Sequence, residues 1–414
     1  MKELLEKIPF YNSAVLPYHF AQSLISGARY SFPGKHLRVI GITGTNGKTT
    51  TAFMVWQMLN HAGFRAGLMT TVAWGVDSLT PELGHMTTVD AFTLNKRIAT
   101  IRSQGADFLV LEVTSHALAQ FRTLGIPIEI AVFTNLTHDH LDYHKTFAKY
   151  RATKGKLFKK AQLSILNADD PATKYYKTIA HKYITYGIKS GQNRATEVKL
   201  AVDGVKYSLG DMSIETHIPG QFNVYNSLAA ALVGRTLGLS DQQITEGIGS
   251  LNSVEGRMNI VDEGQPFTVI VDYAHAPDAL EKVFASVGGH KGRIISVHGG
   301  AGRRDPSTRP IRGEILAKHS DIVIITEDDS RDEDPEKIAQ GFINGATAAG
   351  KTLGKDLLVE LDRAKAIKLA LSKARKGDLV LILGKGHEKT ILRADGPHEF
   401  EDIKEARKFL KDLR

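Results

Sequence analysis

Eight short apolar runs, alternating with helical patterns, set the strongest limit on how this chain can fold. Four lie in the first half of the chain and four in the second. Continuous apolar runs indicate strands with both faces covered, which is the environment of a parallel sheet between helices. The runs cover residues 37–43, 108–114, 128–136, 163–170, 267–274, 292–300, 321–329 and 378–386.

The two groups of strands predict two doubly wound α/β domains. We place an N-terminal extension at residues 1–36, the first domain at 37–252 and the second at 253–414. Between the two groups of strands, VKLAVDGVKYSL alternates like a hairpin that turns at Asp203-Gly204, and a helix from Asn223 to about Gly238 follows it.

In both groups, charged and reactive side chains follow the last apolar residue of a strand. Open α/β sheets bind ligands at the carboxyl ends of their strands, so each domain is expected to present a functional edge. A cleft between the domains is the expected place for chemistry. The segments are Gly44–Thr49, Glu112–His116, Asn135–His140, Asp272–His275, Asp328–Arg331 and Lys385–Glu388.

The stretch GITGTNGKTTT (41–51) resembles a phosphate-binding loop but departs from the pattern G-x-x-x-x-G-K-[ST], because Ile42 stands where the first glycine belongs. A strand precedes it and a helical pattern follows, so its backbone N–H groups can surround phosphate oxygens. Lys48 would neutralise the β/γ-phosphates and the Thr49 hydroxyl would ligate Mg²⁺. A purely structural glycine turn seldom carries Lys-Thr at the helix start.

Two further features of the first half indicate a metal ion. Glu112 ends a buried strand, where a carboxylate is costly unless it is paired or bound to a metal. TNLTHDHLDYH (134–144) holds three histidines and two aspartates, a density that favours a divalent ion. One such histidine alone is more often a hydrogen-bonded structural residue.

Other candidates are weaker when taken singly. Lys154 lies on a helical flank, where spacing alone predicts a solvent-facing lysine. In the second half, Arg257 and Asp272 suit a ribose and a phosphate, Arg331 suits a carboxylate, and Glu388 adds an acid. Surface Asp-Arg pairs are common, so it is the shared strand edge that makes this group a candidate site.

Composition excludes several classes of function. The chain has no cysteine, which excludes disulfides, thiolate zinc sites and a cysteine nucleophile, and which fits a cytoplasmic protein. A formal charge of +8 suggests anionic partners, although lysines and arginines spread over solvated faces are the more common explanation, and no arginine-rich arm or recognition helix indicates nucleic acid. No apolar run reaches transmembrane length. We expect a monomer.

Together these motifs resemble the Mur ligases, the ATP-dependent amide-forming enzymes of cell-wall peptide synthesis. That family's loop reads G-x-x-G-T-N-G-K-T, which stands at 41–49, and the likeness runs from about Val39 to the C-terminus. Within the family it is greatest to the tripeptide synthetases. The motifs are TGTNGKTTT, MTT at 86–88, LEVTSHALAQFR, FTNLTHDHLDYH, K-x-x-L-F at 154–158, LNADDP, PGQFNVYNSLAA, VEGRM, VDYAHAPDAL, TRP and GKGHE.

The resemblance implies a role for each matched residue. Those implied for ATP are Gly44, Thr45, Asn46, Gly47, Lys48, Thr49, Thr50, Asn223, Asn226, Arg257, Asp272 and His275. Those implied for the metal are Thr49, Glu112, His140 and Lys154, and the implied catalytic group is Lys48, Glu112, His140 and Lys154. Those implied for the acceptor are Thr87, Thr88, Thr114, Ser115, Gln120 and Arg122, and those for the amino acid are Asp328, Asp329, Arg331, Gly384 and Glu388.

The implied fold is a central P-loop ATPase domain with a mostly parallel sheet, followed by a Rossmann-like C-terminal domain. The implied activity adds a diamino acid to a UDP-N-acetylmuramoyl-dipeptide-like acceptor through an acyl phosphate, with ATP and Mg²⁺. Lys154 would carry a carbamate: CO₂ on its neutral amine gives an anion that can hold a second Mg²⁺. The two domains would close before chemistry and exclude water.

Two departures from the family pattern affect the substrate prediction. Members normally carry an N-terminal domain for the uridine nucleotide, whereas about 36 residues precede the first predicted strand here. Either the nucleotide is held without that domain or the acceptor differs. Residues 17–30 read as a helix that packs where the domain would join, or as an amphipathic membrane-surface helix.

The second departure is in the amino-acid loop. Members that use meso-diaminopimelate typically read D-N-P-R, and this chain has Asp328-Asp329-Ser330-Arg331. Arg331 can pair with the distal carboxylate, whereas the charge of Asp329 favours a cationic amine such as lysine. We expect diaminopimelate, with lysine as the alternative.

Two other functions stay open from the sequence. One is a related ligase with another acceptor, such as a folylpolyglutamate synthase, although its loop differs and HALAQFR and GKGHE argue against it. The other is a non-catalytic ATP-binding subunit, against which the intact Lys48, Glu112, His140 and Lys154 argue.

Overall fold

A computed structural model describes residues 15–82, 87–201 and 203–412, with Leu141 and Asp142 described by their backbone alone. Residues 1–14 of the predicted extension, Met86 of the MTT motif and Val202 of the predicted hairpin lie outside the described residues. The chain divides into two compact units. One comprises Met1–Lys199, Lys206–Thr216 and Asn223–Leu251, and the other comprises Leu200–Val205, His217–Phe222 and Asn252–Arg414.

The first unit is built on a nine-stranded sheet in the order β4-β3-β2-β5-β1-β6-β7-β8-β9. All neighbouring pairs from β2 to β9 are parallel, and the edge strands β3 and β4 are antiparallel. The strands are β1 Arg38–Thr43, β2 Ala66–Met69, β3 Ala73–Gly75, β4 Leu79–Pro81, β5 Phe108–Glu112, β6 Ile130–Phe133, β7 Leu163–Asn167, β8 Tyr183–Gly187 and β9 Asn193–Arg194.

Helices cover this sheet, and a three-stranded sheet follows it in the chain. The helices are α1 Leu16–Arg29, α2 Lys48–His61, α3 Ala91–Ser103, α4 Ser115–Ala119, α5 Leu141–His144, α6 Phe147–Lys160, α7 Thr173–Ile179, α8 Gln221–Thr236 and α9 Asp241–Gly249, with a 3₁₀ turn at Pro33–His36. The small sheet consists of β10 Thr196–Ala201, β11 Gly204–Leu209 and β12 Met212–Thr216. The predicted hairpin strands are therefore neighbours.

The helix predicted at residues 17–30 is α1, and it packs on α3. The Ser26 hydroxyl donates to the Ala91 carbonyl (2.8 Å) and accepts from the Asn95 amide (3.1 Å). Its buried face is made of small residues, Ser23, Ser26 and Gly27. No helix of the described chain is both long enough and apolar enough to span a membrane.

The second unit is built on a six-stranded sheet in the order β13-β14-β18-β15-β16-β17, parallel except for β13 at its edge. The strands are β13 Asn259–Ile260, β14 Thr268–Asp272, β15 Ile294–Gly300, β16 Ile322–Glu327, β17 Leu357–Val359 and β18 Leu379–Leu383, with a separate pair β19 Thr390–Arg393 and β20 Gly396–Glu399. The helices are α10 Pro277–Ser286, α11 Thr308–His319, α12 Pro335–Ala348, α13 Arg363–Lys373 and α14 Asp402–Asp412.

A fully buried ion pair supports the carboxyl ends of two strands in the second unit, β16 and β18. Arg363 binds both carboxylate oxygens of Asp402 (2.7 and 2.8 Å), and neither side chain is exposed. The same guanidinium donates to the carbonyls of Glu327 (3.3 Å) and Leu383 (3.1 Å), which end β16 and β18. This arginine therefore supports the edge on which the candidate amino-acid residues stand.

Arg363→Met is expected to lower the free energy of unfolding by about 3–5 kcal/mol, because it leaves the Asp402 carboxylate buried without a cation. Urea denaturation measures the loss. The double variant Arg363→Met/Asp402→Leu should recover most of it, since neither charge then stays buried alone. An equal loss in the single and double variants would contradict this account.

The α/β fold class, with mostly parallel sheets, is confirmed. All eight predicted runs contain strands of these sheets. The sequence missed eight short strands, β2, β3, β4, β8, β9, β12, β13 and β17, and the β19–β20 pair. All of them have five or fewer residues, so their apolar runs are too short to stand out.

Candidate active site

The loop between β1 and α2 is held in shape by the segment that follows β6. The Asn135 side chain accepts from the Asn46 N–H and donates to the Asn46 carbonyl (3.0 Å each). The Asn135 carbonyl accepts from the Thr45 N–H (2.8 Å), and the Thr134 hydroxyl donates to the Asn46 carbonyl (2.6 Å). Gly44 leaves room for this clamp, because a Cβ there would lie 1.8 Å from Thr134 Oγ1.

Lys48, Thr49 and Glu112 meet at the N-terminus of α2. Glu112 Oε2 accepts from the Thr49 hydroxyl (2.9 Å) and from the N–H and hydroxyl of Thr71 (3.1 Å each). Lys48 Nζ lies 3.9 Å from Glu112 Oε1 and donates to the Thr45 carbonyl (2.7 Å). Glu112 is 2% exposed. The buried carboxylate thus has the donors and the nearby cation that its burial requires.

Lys154 reaches the same loop from α6. Its Nζ donates to the Gly44 carbonyl (2.7 Å) and lies 4.9 Å from the ring centre of Tyr150, and the residue is 2% exposed. Burial, with the charge of Lys48, holds the Lys154 pKa well below its ordinary value. The solvent-facing position that spacing predicted is wrong. His140 lies next to this group, with its ring centre 6.1 Å from that of Tyr150.

The lowered pKa of Lys154 predicts a pH-dependent stability. Without nucleotide or CO₂, unfolded Lys154 stays protonated up to its ordinary pKa of 10.5, whereas the folded residue loses its proton at lower pH. The unfolded state therefore binds more protons, and raising the pH from about 7 to about 10 favours the folded wild type. The stability of wild type relative to Lys154→Met should rise over this range, as measured by urea denaturation.

The matched control is Lys149→Met, which removes an exposed lysine from the same helix. Its stability should run parallel to that of the wild type across the pH range. If Lys154→Met also ran parallel to the wild type, the lowered pKa would be disproved.

The metal site that the density of TNLTHDHLDYH indicated stays a prediction, and its three histidines have different partners in the structure. The His138 ring stacks on Phe147 (centroids 4.9 Å apart), and His144 Nε2 bonds to the Ser115 hydroxyl (2.9 Å). His140 Nε2 lies 3.5 Å from the preceding aspartate carboxylate. Among the described side chains of this segment, no three His, Asp or Glu ligand atoms converge. The first and third histidines are turned to internal partners instead.

Four of the six residues implied for the acceptor are joined to one another at the end of β5. The Thr88 hydroxyl donates to the Glu112 carbonyl (3.1 Å) and accepts from the N–H (3.1 Å) and hydroxyl (3.2 Å) of Thr114. Arg122 donates to the Thr88 carbonyl and twice to Gln120 Oε1 (3.1 and 2.6 Å). Burial lowers the Arg122 pKa.

The other two acceptor candidates are neighbours of this group. Ser115 follows Thr114 in the chain and is 1% exposed, with its hydroxyl on His144. Thr87 precedes Thr88 and is half-buried. The six acceptor candidates therefore lie together in the first unit, next to the phosphate loop and Glu112.

Helix α8 contacts the phosphate loop through Asn226. Asn226 Oδ1 accepts from the Thr51 hydroxyl (3.3 Å), and its amide donates to Asn223 Oδ1 (2.8 Å). Gly47 has φ +83°, and a Cβ there would lie 2.3 Å from Asn226 Oδ1, so only glycine fits. Thr50, which precedes Thr51 in the chain, is buried. The two asparagines support the loop, and their implied place beside adenine stays a prediction.

In the second unit, Arg257 and His275 both lie against the ring of Tyr273. The Arg257 guanidinium is 4.5 Å and the His275 ring 4.6 Å from its centre. The Asp272 carboxylate accepts from two backbone N–H groups (2.8 Å each), and burial raises its pKa. Asp272 therefore shapes the loop after β14, and its implied contact with the nucleotide stays a prediction.

Asp328, Asp329 and Glu388 converge on the ammonium group of Lys385. The distances from Lys385 Nζ are 3.2, 2.8 and 2.8 Å. Asp329 Oδ1 also accepts from the Leu392 N–H (3.0 Å), and the Asp329 side chain is 6% exposed. The Asp329 carboxylate is therefore bonded to Lys385 and to the Leu392 N–H, and its implied place beside the amino acid stays a prediction.

The remaining amino-acid candidates lie on the same edge. Arg331 has φ +55° just past the end of β16, and its Nη1 donates to the Gly302 carbonyl (3.2 Å). Gly384 has φ +115° at the end of β18, where a Cβ would lie 3.3 Å from Asp328 Oδ2. Arg331, Gly384 and the carboxylate cluster thus follow the carboxyl ends of β16 and β18, the two strands of one sheet that flank β15.

The candidate list missed four residues that build these sites. Thr71 and Tyr150 bond to Glu112 and Thr45, Asn135 clamps the loop, and Lys385 joins the three acids. Lys385 carried a signal, since it lies between two glycines at a strand end. Asn135 begins a strand-end segment that the sequence singled out, although its partner lies 89 residues away. Thr71 and Tyr150 act on partners 41 and 105 residues away, which no local pattern indicates.

Two family models match the chain. The Mur ligase middle domain matches residues 42–234, and the Mur ligase, glutamate ligase domain matches residues 256–386. A UDP-N-acetylmuramoyl-L-alanyl-D-glutamate--2,6-diaminopimelate ligase of Geobacillus kaustophilus (strain HTA426) is 38% identical over 408 residues, covering 95% of this chain and 82% of the relative.

Solved structures agree with these matches. The structure of a UDP-N-acetylmuramoyl-L-alanyl-D-glutamate--2,6-diaminopimelate ligase superimposes with a TM-score of 0.64 at 31% identity, over 91% of this chain and 79% of that one. A Mycobacterium tuberculosis folylpolyglutamate synthase, complexed with ADP and AMPPCP, gives a TM-score of 0.71 at 17% identity over 95% of each chain. At that identity the second likeness concerns the fold alone.

Proposed function

The chain belongs to the Mur ligase family of ATP-dependent, ADP-forming ligases, and from that premise we propose its substrates. The acceptor is a UDP-N-acetylmuramoyl dipeptide, and the incoming amino acid is 2,6-diaminopimelate, as the name of the Geobacillus relative states for that protein. The reaction takes place in the cytoplasm, as a step of peptidoglycan synthesis, and the enzyme acts as a monomer without nucleic acid.

The observation that carries the proposal is the convergence of Lys48, Glu112 and Lys154 on one loop. Lys48 and Lys154 both bond to carbonyls of that loop, at Thr45 and Gly44 (2.7 Å each), and Glu112 lies 3.9 Å from Lys48. Two lysines and a carboxylate at a helix N-terminus supply both charge signs that a transferring phosphoryl group and its metal require.

The residues at the loop fit Mg²⁺. Thr49 Oγ1 and Glu112 Oε2 are hard oxygen donors 2.9 Å apart, the ligand type that Mg²⁺ prefers. When bound, Mg²⁺ would neutralise charge that develops on the phosphate oxygens. We place Thr49, Glu112 and His140 as its holders, with Lys154 as the site of a carbamate.

Carbamate formation is favoured at Lys154 because the reaction needs an uncharged amine. The uncharged Lys154 nitrogen attacks the carbon of CO₂, and the proton it loses leaves with solvent, so a neutral amine becomes an anionic carbamate. Burial already holds its pKa well below the ordinary value. An anion here lies next to Lys48, which then balances its charge.

The chemistry proceeds in two steps. An acceptor carboxylate oxygen attacks the γ-phosphorus, the bond to the β,γ-bridging oxygen breaks, and ADP leaves with Lys48 stabilising the charge. The amine of the amino acid then attacks the acyl carbon, the C–O bond to phosphate breaks, and phosphate and a proton are released. Thr88, Thr114 and Arg122 would hold the acceptor.

Diaminopimelate is preferred over lysine because of the second unit. The guanidinium of Arg331 can pair with the distal carboxylate of diaminopimelate, and the amino acid lysine has no carboxylate at that position. The objection from the sequence was the charge of Asp329. That carboxylate lies 2.8 Å from the ammonium of Lys385, which balances one of the negative charges at this edge.

The test is a substrate panel with the purified chain and phosphate release as the readout. UDP-N-acetylmuramoyl-L-alanyl-D-glutamate is combined with diaminopimelate, lysine, ornithine or glutamate, and folate with glutamate is a separate arm. We expect phosphate release that requires both the dipeptide acceptor and diaminopimelate. Turnover with folate and glutamate, or equal rates with lysine, would overturn the proposed substrates, and release without an acceptor would overturn the ligation.

A further inference from the structure

Lys385 owes its position to a tight turn after β18. Gly386 has φ +54°, and a Cβ there would lie 2.8 Å from the backbone carbonyl of Gly256. The Glu388 N–H donates to the Lys385 carbonyl (3.0 Å). The side chains of Lys385 and Glu388 are thereby brought together, and their charged groups lie 2.8 Å apart.

Three carboxylates surround the Lys385 ammonium. Oxygens of Asp328, Asp329 and Glu388 lie within 4.8 Å of one another, an arrangement that suits a divalent cation. Lys385 Nζ bonds to all three and is 0% exposed, so a protein cation stands where a metal ion would bind. Without it, three adjacent carboxylates could not all stay ionised.

The charges on both sides support this reading. Burial would lower the Lys385 pKa, but the three carboxylates outweigh burial and raise it. Burial would raise the Asp328 pKa, but Lys385 and Arg363 outweigh it and lower it. The Lys385–Asp328 pair is therefore fully charged at neutral pH.

The surplus of negative charge is presented at Glu388. Three carboxylates and one ammonium leave the cluster two charges negative when all are ionised. The Glu388 side chain is 16% exposed, against 9% for Asp328, 6% for Asp329 and 0% for Lys385. Glu388 is thus the member of the cluster best placed to meet a cationic group from solvent.

We propose that Lys385 is a positioning residue for the incoming amino acid: it holds Asp328 and Asp329 inward and fixes Glu388 toward the substrate's ammonium group. This inference rests on the proposed function, since it needs an amino acid that binds at this edge. In this proposal Lys385 takes the place of a metal ion among the three carboxylates as their resident cation, and Asp329 has an internal role because it bonds to Lys385 and not to the substrate.

The test compares Lys385→Met with a matched control, Arg293→Met. Arg293 also pairs with a buried carboxylate, that of Asp378. It precedes β15 and therefore lies at the amino ends of the strands of this sheet, whereas Lys385 lies at their carboxyl ends. We expect Lys385→Met to raise the KM for the amino acid at least tenfold and to change the KM for ATP less than twofold. Arg293→Met should change neither KM by more than twofold.

A second readout does not depend on turnover. Without nucleotide, Lys385→Met should bind one Mn²⁺ more than wild type and Arg293→Met, as counted by electron paramagnetic resonance, because its three carboxylates have lost their cation. An amino-acid KM that matches the control, or no additional Mn²⁺, would overturn the inference. If the substrate panel fails but the additional Mn²⁺ appears, the proposed function is wrong and the role of Lys385 as resident cation stands.

Asp329→Asn tests the same inference if Lys385→Met does not fold. Because Asp329 acts through Lys385, its loss should change the amino-acid KM less than threefold and recruit no Mn²⁺. A rise of tenfold or more would mean that Asp329 contacts the substrate directly, and the inward role would be disproved.

Discussion

Lys48→Met is expected to lower kcat by about 10³-fold, the range found when a group that stabilises a transferring phosphoryl or acyl centre is removed. Lys48 Nζ donates a hydrogen bond to the Thr45 carbonyl (2.7 Å) and lies 3.9 Å from Glu112, so its charge is held at the phosphate loop. Methionine keeps the length of the side chain and removes the charge. Steady-state ADP release, with both substrates saturating, measures the effect.

The control for Lys48→Met is Gln57→Met on the same helix. Gln57 Nε2 bonds to the Ser250 hydroxyl (3.1 Å), away from the loop, and its loss should leave kcat within about twofold. Circular dichroism and urea denaturation of both variants check that the fold is kept. A Lys48→Met enzyme with more than about a tenth of wild-type kcat would contradict the assigned role.

Lys154→Ala is expected to lower kcat by about 10²–10³-fold, because it removes the amine that would carry the anionic carbamate beside the transferring phosphoryl group. If the active form is the carbamate, wild-type activity should also fall in CO₂-free buffer and return on addition of bicarbonate. A small carboxylate such as acetate should partly restore Lys154→Ala, since it supplies an anion to the vacated space. Phosphate release measures all three effects.

Lys156→Met is the matched control for Lys154→Ala. Lys156 lies two residues away on the same helix, where its Nζ is 3.5 Å from the Leu118 carbonyl, and burial lowers its pKa as well. We expect near wild-type kcat and no response to acetate. Rescue of both variants by acetate would point to a general salt effect, and an active Lys154→Ala enzyme would remove the carbamate from the mechanism.

The parts of the fold that could be read from the sequence are those fixed by burial on both faces. Strands such as Phe108–Glu112 and Leu379–Leu383 are continuous apolar runs, and only a covered parallel strand explains them. Strands such as Leu357–Val359 are too short to show a period. The position of such a strand is decided by its hydrogen bonds to a neighbouring strand, and the local sequence does not show which strand that is.

The residues of the candidate site also differ in how far the local sequence predicted them. The phosphate loop could be predicted because its glycines and Lys48-Thr49 are contiguous. Lys154 could not be predicted from spacing, because a lysine is by default solvent-exposed and only tertiary packing buries it. The strand-end position of Lys385 marked it as a candidate but did not indicate that its ammonium is buried among three carboxylates. The family resemblance identified Lys154, whereas Lys385 emerged from the geometry of the three carboxylates around it.

The most direct test of the account follows one oxygen atom. The acceptor is prepared with ¹⁸O in the carboxylate that reacts, and the phosphate released in a single round of ligation is analysed by mass spectrometry. An acyl phosphate requires the carboxylate oxygen to leave with phosphorus, so the account predicts one ¹⁸O atom in each phosphate. With both carboxylate oxygens labelled, the product amide keeps one ¹⁸O in either case, so it is phosphate without ¹⁸O that would contradict the account.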